Sequence, residues 1–262
     1  MLRQLTLAVV CLLLGGTATG HPADEFCTGA DGLDPALCRA LAELDSETGD
    51  LAAPELNPLL DERGEERSAW STLRLYVTIG IGHIVPDGTD HILFVLAVFL
   101  ASARLRSLVW QISAFTVAHT ATLALAASGV ITPSPAVVEP LIAFTIAFVA
   151  IENLVFKEMT SWRPLVVFGF GLVHGLGFAG FFGELGLPPG QFWSALIGFN
   201  LGVEIGQLSV IVTAAVAGVF LRRWLGDKEG RRRYRHAVAL PGSLAIGLTG
   251  LWWGVTRALG LG

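Results

Sequence analysis

Apolar residues run along this chain in windows of about 20, the length that crosses a hydrocarbon core as a helix. They predict six spans: Leu73 to Ser102, Ser107 to Ser128, Ala136 to Phe156, Pro164 to Glu184, Gln191 to Leu221 and Val238 to Ala258. An apolar run from Leu5 to Leu14, led by Arg3 and followed by Ala18-Thr19-Gly20, reads as a secretory signal over residues 1–20. A retained signal would add a seventh helix without changing the orientation of the rest. The expected fold is therefore an all-α, polytopic membrane bundle over residues 73–262, preceded by an exported segment at 21–72. The first span is longer than the bilayer requires and carries Pro86 and Gly88 near its middle, so it is expected to break or re-enter there. Irregular backbone at membrane depth survives only where it is buried in protein or lines a cavity, and broken helices build ion sites in transporters.

Charge orients the bundle. Residues 21–72 hold 13 of the 22 acidic residues against Arg39, Arg63 and Arg67. Basic residues concentrate at Arg104 and Arg106, at Lys157 and Arg163, and in the run from Arg222 to Arg235, which are alternate loops. The positive-inside rule makes those loops cytoplasmic and puts the mature N-terminus and the C-terminus outside a bacterial inner membrane. The basic run thus reports topology and not nucleic-acid binding. With 53% hydrophobic and 15% charged residues, most of the chain belongs in lipid, since a soluble domain carries about 25% charge. Cys27 and Cys38, exported together, are expected to form a disulfide. His21 would become the mature N-terminus, where its amine and imidazole could chelate a metal, although an incidental residue is the simpler reading.

The polar positions inside the spans carry the chemistry. His83, His91, His119 and His174 lie in or against apolar segments, as do Asp90, Glu139, Glu152 and Glu204. Intramembrane ionisable groups cost several kcal/mol unless they pair, meet water or bind an ion. Imidazole with carboxylate is metal-ligand chemistry. Counting along the spans puts His91, His119, His174 and Asn200 each about 14 to 18 Å from a membrane face. Asn200, Glu204 and Gln207, at i, i+4 and i+7, form one polar stripe that must face the bundle interior. Gly198, Gly202, Gly206, Gly171 and Gly175 are expected to serve close helix packing. Asp90 either ligates or orients the adjacent imidazole. Glu139 suits the outer mouth or a cap, and Glu152 with Asn153 suits either an exit station or a helix anchor.

Four ordered motifs carry a resemblance. They are Gly88-Thr89-Asp90-His91, Phe115-Thr116-Val117-Ala118-His119-Thr120, the run from Phe170 to Ala179 around His174, and the run from Phe199 to Gln207. Together they resemble the HupE/UreJ family over about Leu73 to Leu221, in a divergent branch with an exported N-terminal segment. The resemblance implies a metal permease or accessory role, nickel being the family's associated cargo, and a metalloenzyme assembly system as a partner.

The expected function is a membrane protein that moves or binds a divalent transition metal, with nickel first and copper, cobalt or zinc behind it. Its site comprises His83, Asp90, His91, His119, His174, Asn200 and Glu204, with Glu139, Glu152 and Gln207 along the path. Transport is favoured over catalysis. The enzyme alternative is an intramembrane zinc hydrolase, in which histidines hold the ion and a bound water attacks a lipid amide or ester. A third reading is a membrane scaffold for metalloenzyme assembly. The acidic exported segment would concentrate cations at the mouth.

Overall fold

The computed structural model describes residues 67–101, 105–156, 160–178, 190–225 and 234–261. The chain divides into two units, Met1–Asn57 and Pro58–Gly262, and all described residues belong to the second. The expected signal, His21, the Cys27–Cys38 bridge and most of the basic run after Arg223 lie outside the described residues.

Every regular element among the described residues is a helix: α1 (Ala69–Ile84), α2 (Thr89–Ala101), α3 (Leu105–Ala127), α4 (Pro135–Val155), α5 (Arg163–Gly177), α6 (Phe192–Leu225) and α7 (Leu240–Ala258). A π-helical turn at Arg235–Ala239 leads into α7. Four helical stretches, Leu105–Ala127, Pro135–Val155, Phe192–Leu221 and Arg235–Ala258, are long and apolar enough to cross a membrane. The bent pair α1 and α2 is either a fifth, broken span or a re-entrant loop. The expected span Pro164 to Glu184 corresponds to α5, which stops at 15 residues, and residues 179–184 lie outside the described residues. The chain is an all-helical membrane protein, and the number of crossings among the described residues is four or five.

The first span breaks where its sequence predicts. Ser68 caps α1 by accepting a hydrogen bond from the Ser71 backbone N–H at 3.2 Å, which satisfies a donor that the first turn leaves over. Val85, preceding Pro86, adopts the extended conformation that proline imposes on its predecessor. The chain then folds so tightly that a Cβ at Gly88 would collide with the His83 carbonyl. α2 departs at 71° to α1. This corner brings His83, one residue before the end of α1, beside His91, the third residue of α2.

Three helix pairs organise the bundle: α1 with α6, α3 with α5, and α4 with α7. Each is a close backbone approach made possible by glycine. A Cβ at Gly202 would strike the Val77 carbonyl, one at Gly175 the His119 carbonyl, and one at Gly250 the backbone of Ala143 and Ala147. In lipid, such van der Waals contact replaces the hydrophobic drive that packs helices in water. Between α1, α3 and α6 lies a core of Tyr76, Ile84, Leu123, Leu196, Phe199 and Val203. Large apolar side chains cover the outside. Val117, for example, is 63% exposed while its neighbour but one, His119, is fully buried. That reversal of a soluble protein's pattern is what a hydrocarbon solvent demands.

Candidate metal centre

The four histidines expected to share a site lie close together, although they arrive on four helices. His83 and His91 flank the α1–α2 corner, His119 comes from α3 and His174 from α5. Ring centroids lie 4.8 Å apart for His83 and His91, 5.9 Å for His91 and His119, and 5.1 Å for His91 and His174. His91 is thus the hub. One nitrogen from each of His83, His91 and His119 lies within 4.8 Å of the other two. Two nitrogens bound to one tetrahedral ion at ~2.1 Å stand about 3.4 Å apart. A contraction of side-chain scale therefore closes the set around a cation.

Hydrogen bonding leaves the same nitrogen bare on every ring. The Nε2 atoms of His83, His91, His119 and His174 are buried and have no hydrogen-bond partner among the described residues. Two of the tautomers follow from the other ring nitrogen. His174 Nδ1 lies 2.9 Å from the Phe170 carbonyl oxygen, which can only accept, so Nδ1 carries the proton and Nε2 a free lone pair. His119 Nδ1–H donates at 3.0 Å to Asn200 Oδ1. The Asn200 amide is oriented in turn by donation from Nδ2 to the Leu196 carbonyl at 2.8 Å. This is the support that orients a metal-binding imidazole and raises its basicity. Asn200 therefore stands behind His119.

Aromatic rings wall the centre. Phe94 and Phe115 flank His174 at 5.2 and 5.0 Å, and Phe178 lies 4.0 Å from His83 and stacks on Phe199 at 4.7 Å. Such walls lower the local dielectric and strengthen any charge interaction inside.

The carboxylates are placed differently. Among the described residues, the grouped ligand atoms all belong to histidines. Asp90 lies next to His91 in the chain but accepts hydrogen bonds from both terminal guanidinium nitrogens of Arg257, from Nη1 at 2.9 Å and Nη2 at 3.3 Å. Glu139 is exposed near the start of α4, where its backbone carbonyl accepts from Arg257 at 3.4 Å. Glu204 accepts from the Ser113 hydroxyl at 2.6 Å. Gln207 accepts from the Thr116 hydroxyl at 3.2 Å, and its Nε2 is buried with no partner among the described residues. Asn200, Glu204 and Gln207 thus form one stripe on α6, and they meet His119, Ser113 and Thr116 on α3 in a polar seam that starts at the histidines. Glu152 lies elsewhere: it pairs with Arg163 at 3.3 Å and accepts from Thr160 at 2.6 Å. Asn153 beside it accepts from Arg163 at 3.1 Å and donates to the Ala97 carbonyl at 2.8 Å, tying α4, α5 and α2 together.

Sequence reasoning overlooked Arg257 and Thr116. A lone arginine at the C-terminal end of the last expected span lies on the side whose loops the positive-inside reading leaves without basic residues, which is the signal in the sequence that it has an acidic partner. Thr116 carries no such mark, because threonine is common inside membrane helices.

The HupE / UreJ protein family profile matches residues 61–257. The chain belongs to that family, which handles metal ions in membranes. No curated protein and no solved structure shows significant similarity to it.

Proposed function

We propose that this protein is a permease for a divalent transition metal, nickel foremost, with cobalt, copper and zinc as the next candidates. The observation that carries this reading is the gathering of four histidine rings from four helices, whose Nε2 atoms are buried with no hydrogen-bond partner among the described residues, three of the rings offering one nitrogen each within 4.8 Å of one another. Buried ring nitrogens without partners are costly, a cation among them would satisfy them, and neutral imidazole suits nickel, copper and zinc. In this reading His83, His91, His119 and His174 are the ligands, Asn200 orients His119, and Asp90 and Glu204 supply negative charge. Glu139 stands at the outer mouth, and the seam through Thr116, Gln207, Ser113 and Glu204 leads inward. Glu152 serves as an exit station only if its pair with Arg163 opens. Ligand protons exchanged for metal would couple transport to a proton gradient.

The same reading sets the chain in a bacterial inner membrane with six crossings, both mature termini outside, the signal removed, and the acidic exported segment closed by a Cys27–Cys38 disulfide. A metalloenzyme assembly system is the natural recipient inside the cell. The test is uptake of nickel, cobalt, copper and zinc into liposomes holding the purified protein, with elemental analysis of the bound metal. Saturable uptake of one or more of these ions is expected. Liposomes that take up none of them, together with protein that retains no metal, would refute the reading.

A further inference from the structure

Resting on that reading, we propose that Arg257 is a tethered stand-in for the cargo: its guanidinium occupies the Asp90 carboxylate in the empty protein and is displaced when a divalent cation enters the histidine centre, which frees Asp90 to act as the ion's charge partner.

The argument starts from charge. Four neutral imidazoles bring ligands but no charge, so a dication among them would lie uncompensated between aromatic walls, and buried charge is tolerated only when paired. Of the carboxylates in the bundle, Glu152 is held by Arg163 with both side chains almost fully buried, 4% and 2% exposed. Glu139 and Asp87 are exposed, and Glu204 is hydrogen-bonded across the α3–α6 seam. Asp90 precedes the hub ligand His91 directly. Its partner is a fixed cation in bidentate geometry, which neutralises it.

The Asp90–Arg257 pair is built to come apart. Its side chains keep 23% and 25% exposure, unlike the sealed Arg163–Glu152 pair, so a released guanidinium has solvent or headgroups within reach. Arg257 also holds contacts that do not involve Asp90. Nη1 donates to the Glu139 carbonyl at 3.4 Å, the guanidinium carbon lies 5.2 Å from the centre of the Trp253 ring, and the residue sits in the last turn of α7. A cation is favoured over an aromatic face and at a helix C-terminus. Arg257 therefore loses little on leaving Asp90.

The test is titration of the full-length protein in detergent with nickel(II) chloride, comparing wild type with Arg257→Gln, Arg257→Lys, Asp90→Asn and the double variant Asp90→Asn/Arg257→Gln. Removing the competitor should tighten nickel binding at least ~10-fold in Arg257→Gln, and Asp90→Asn should weaken it by a similar factor. Adding Arg257→Gln to Asp90→Asn should change nothing further, because the competition acts through the carboxylate. Arg257→Lys, a point charge without the bidentate fork, should bind with intermediate, tighter than wild-type affinity. If Arg257→Gln does not fold, the Arg257→Lys comparison decides. Affinity equal to or weaker than wild type in the neutral variant, or in Arg257→Lys when that variant decides, overturns the proposal. So does tightening that persists without Asp90. Wild-type protein that binds no nickel, cobalt, copper or zinc removes the metal reading and this proposal together, whereas wild-type binding unmoved by Arg257 substitution removes this proposal alone.

Discussion

The histidine centre and the Glu152–Arg163 node are both polar clusters inside an apolar bundle, yet only the node is electrically complete by itself. At the node a cation meets an anion, and Asn153 extends the contact to α2. Its charges cancel, although Arg163 Nε and Nη2 are buried without a hydrogen-bond partner among the described residues. At the centre, four imidazole rings gather with no acid among them, and the hydrogen bonds seen at His119 and His174 run to Asn200 and Phe170. Complementary partners mark a fastening between helices. Ligand-type nitrogens gathered without a counter-charge are what a cation site requires. Burial alone does not separate the two cases, since Arg163 and His174 are equally hidden.

Removing the hub of the centre should have the largest effect on function. His91→Ala is expected to abolish metal uptake into liposomes while the melting temperature of the apoprotein stays close to wild type. Uptake at the wild-type rate by that variant would take His91 out of the site. The opposite signature is expected at the node. Arg163→Ala strands Glu152 in an apolar interior and should cost about 3–5 kcal/mol of stability, read as a lower melting temperature in detergent, with nickel affinity of the surviving folded protein unchanged. A large loss of affinity without loss of stability would merge the two regions into one site.

Smaller effects sharpen the boundary of the centre. Asn200→Ala deletes the acceptor that fixes His119, and loss of such outer partners typically weakens metal binding by ~10–100-fold. Restoration by Asn200→Asp, which keeps an acceptor, would distinguish orientation of the ring from helix packing. Glu204→Gln preserves shape and hydrogen bonding to Ser113 while removing charge, and should weaken binding about tenfold, or ~1.4 kcal/mol, if the carboxylate meets the metal. Unchanged affinity in a titration of this variant would confine Glu204 to the α3–α6 seam.

Much of this was legible along the chain because the bilayer imposes simple rules. Apolar runs of the right length became helices, with ends within a few residues of expectation for α3, α4 and α6. Pro86 and Gly88 announced the corner between α1 and α2, since the residue before proline avoids the helix and a residue without a Cβ permits the tight return. Histidines in apolar runs were conspicuous for the same reason: hydrocarbon does not tolerate them unless something else is present. The i, i+4, i+7 spacing of Asn200, Glu204 and Gln207 put them on one face by helical geometry alone.

What each polar group faces was a different matter. His83 and His174 are far apart in the chain, and only the 71° corner together with the glycine-lined contact of α5 with α3 brings their rings to a common hub. Asp90, Glu152 and Glu204 look alike in sequence, three carboxylates in apolar surroundings, but they meet Arg257, Arg163 and Ser113 respectively. Sequence position determines that an ionisable side chain in lipid must have a partner, because an unpaired charge there is too costly to keep. The choice of partner depends on which helices pack together and at what height, and those are properties of the folded bundle.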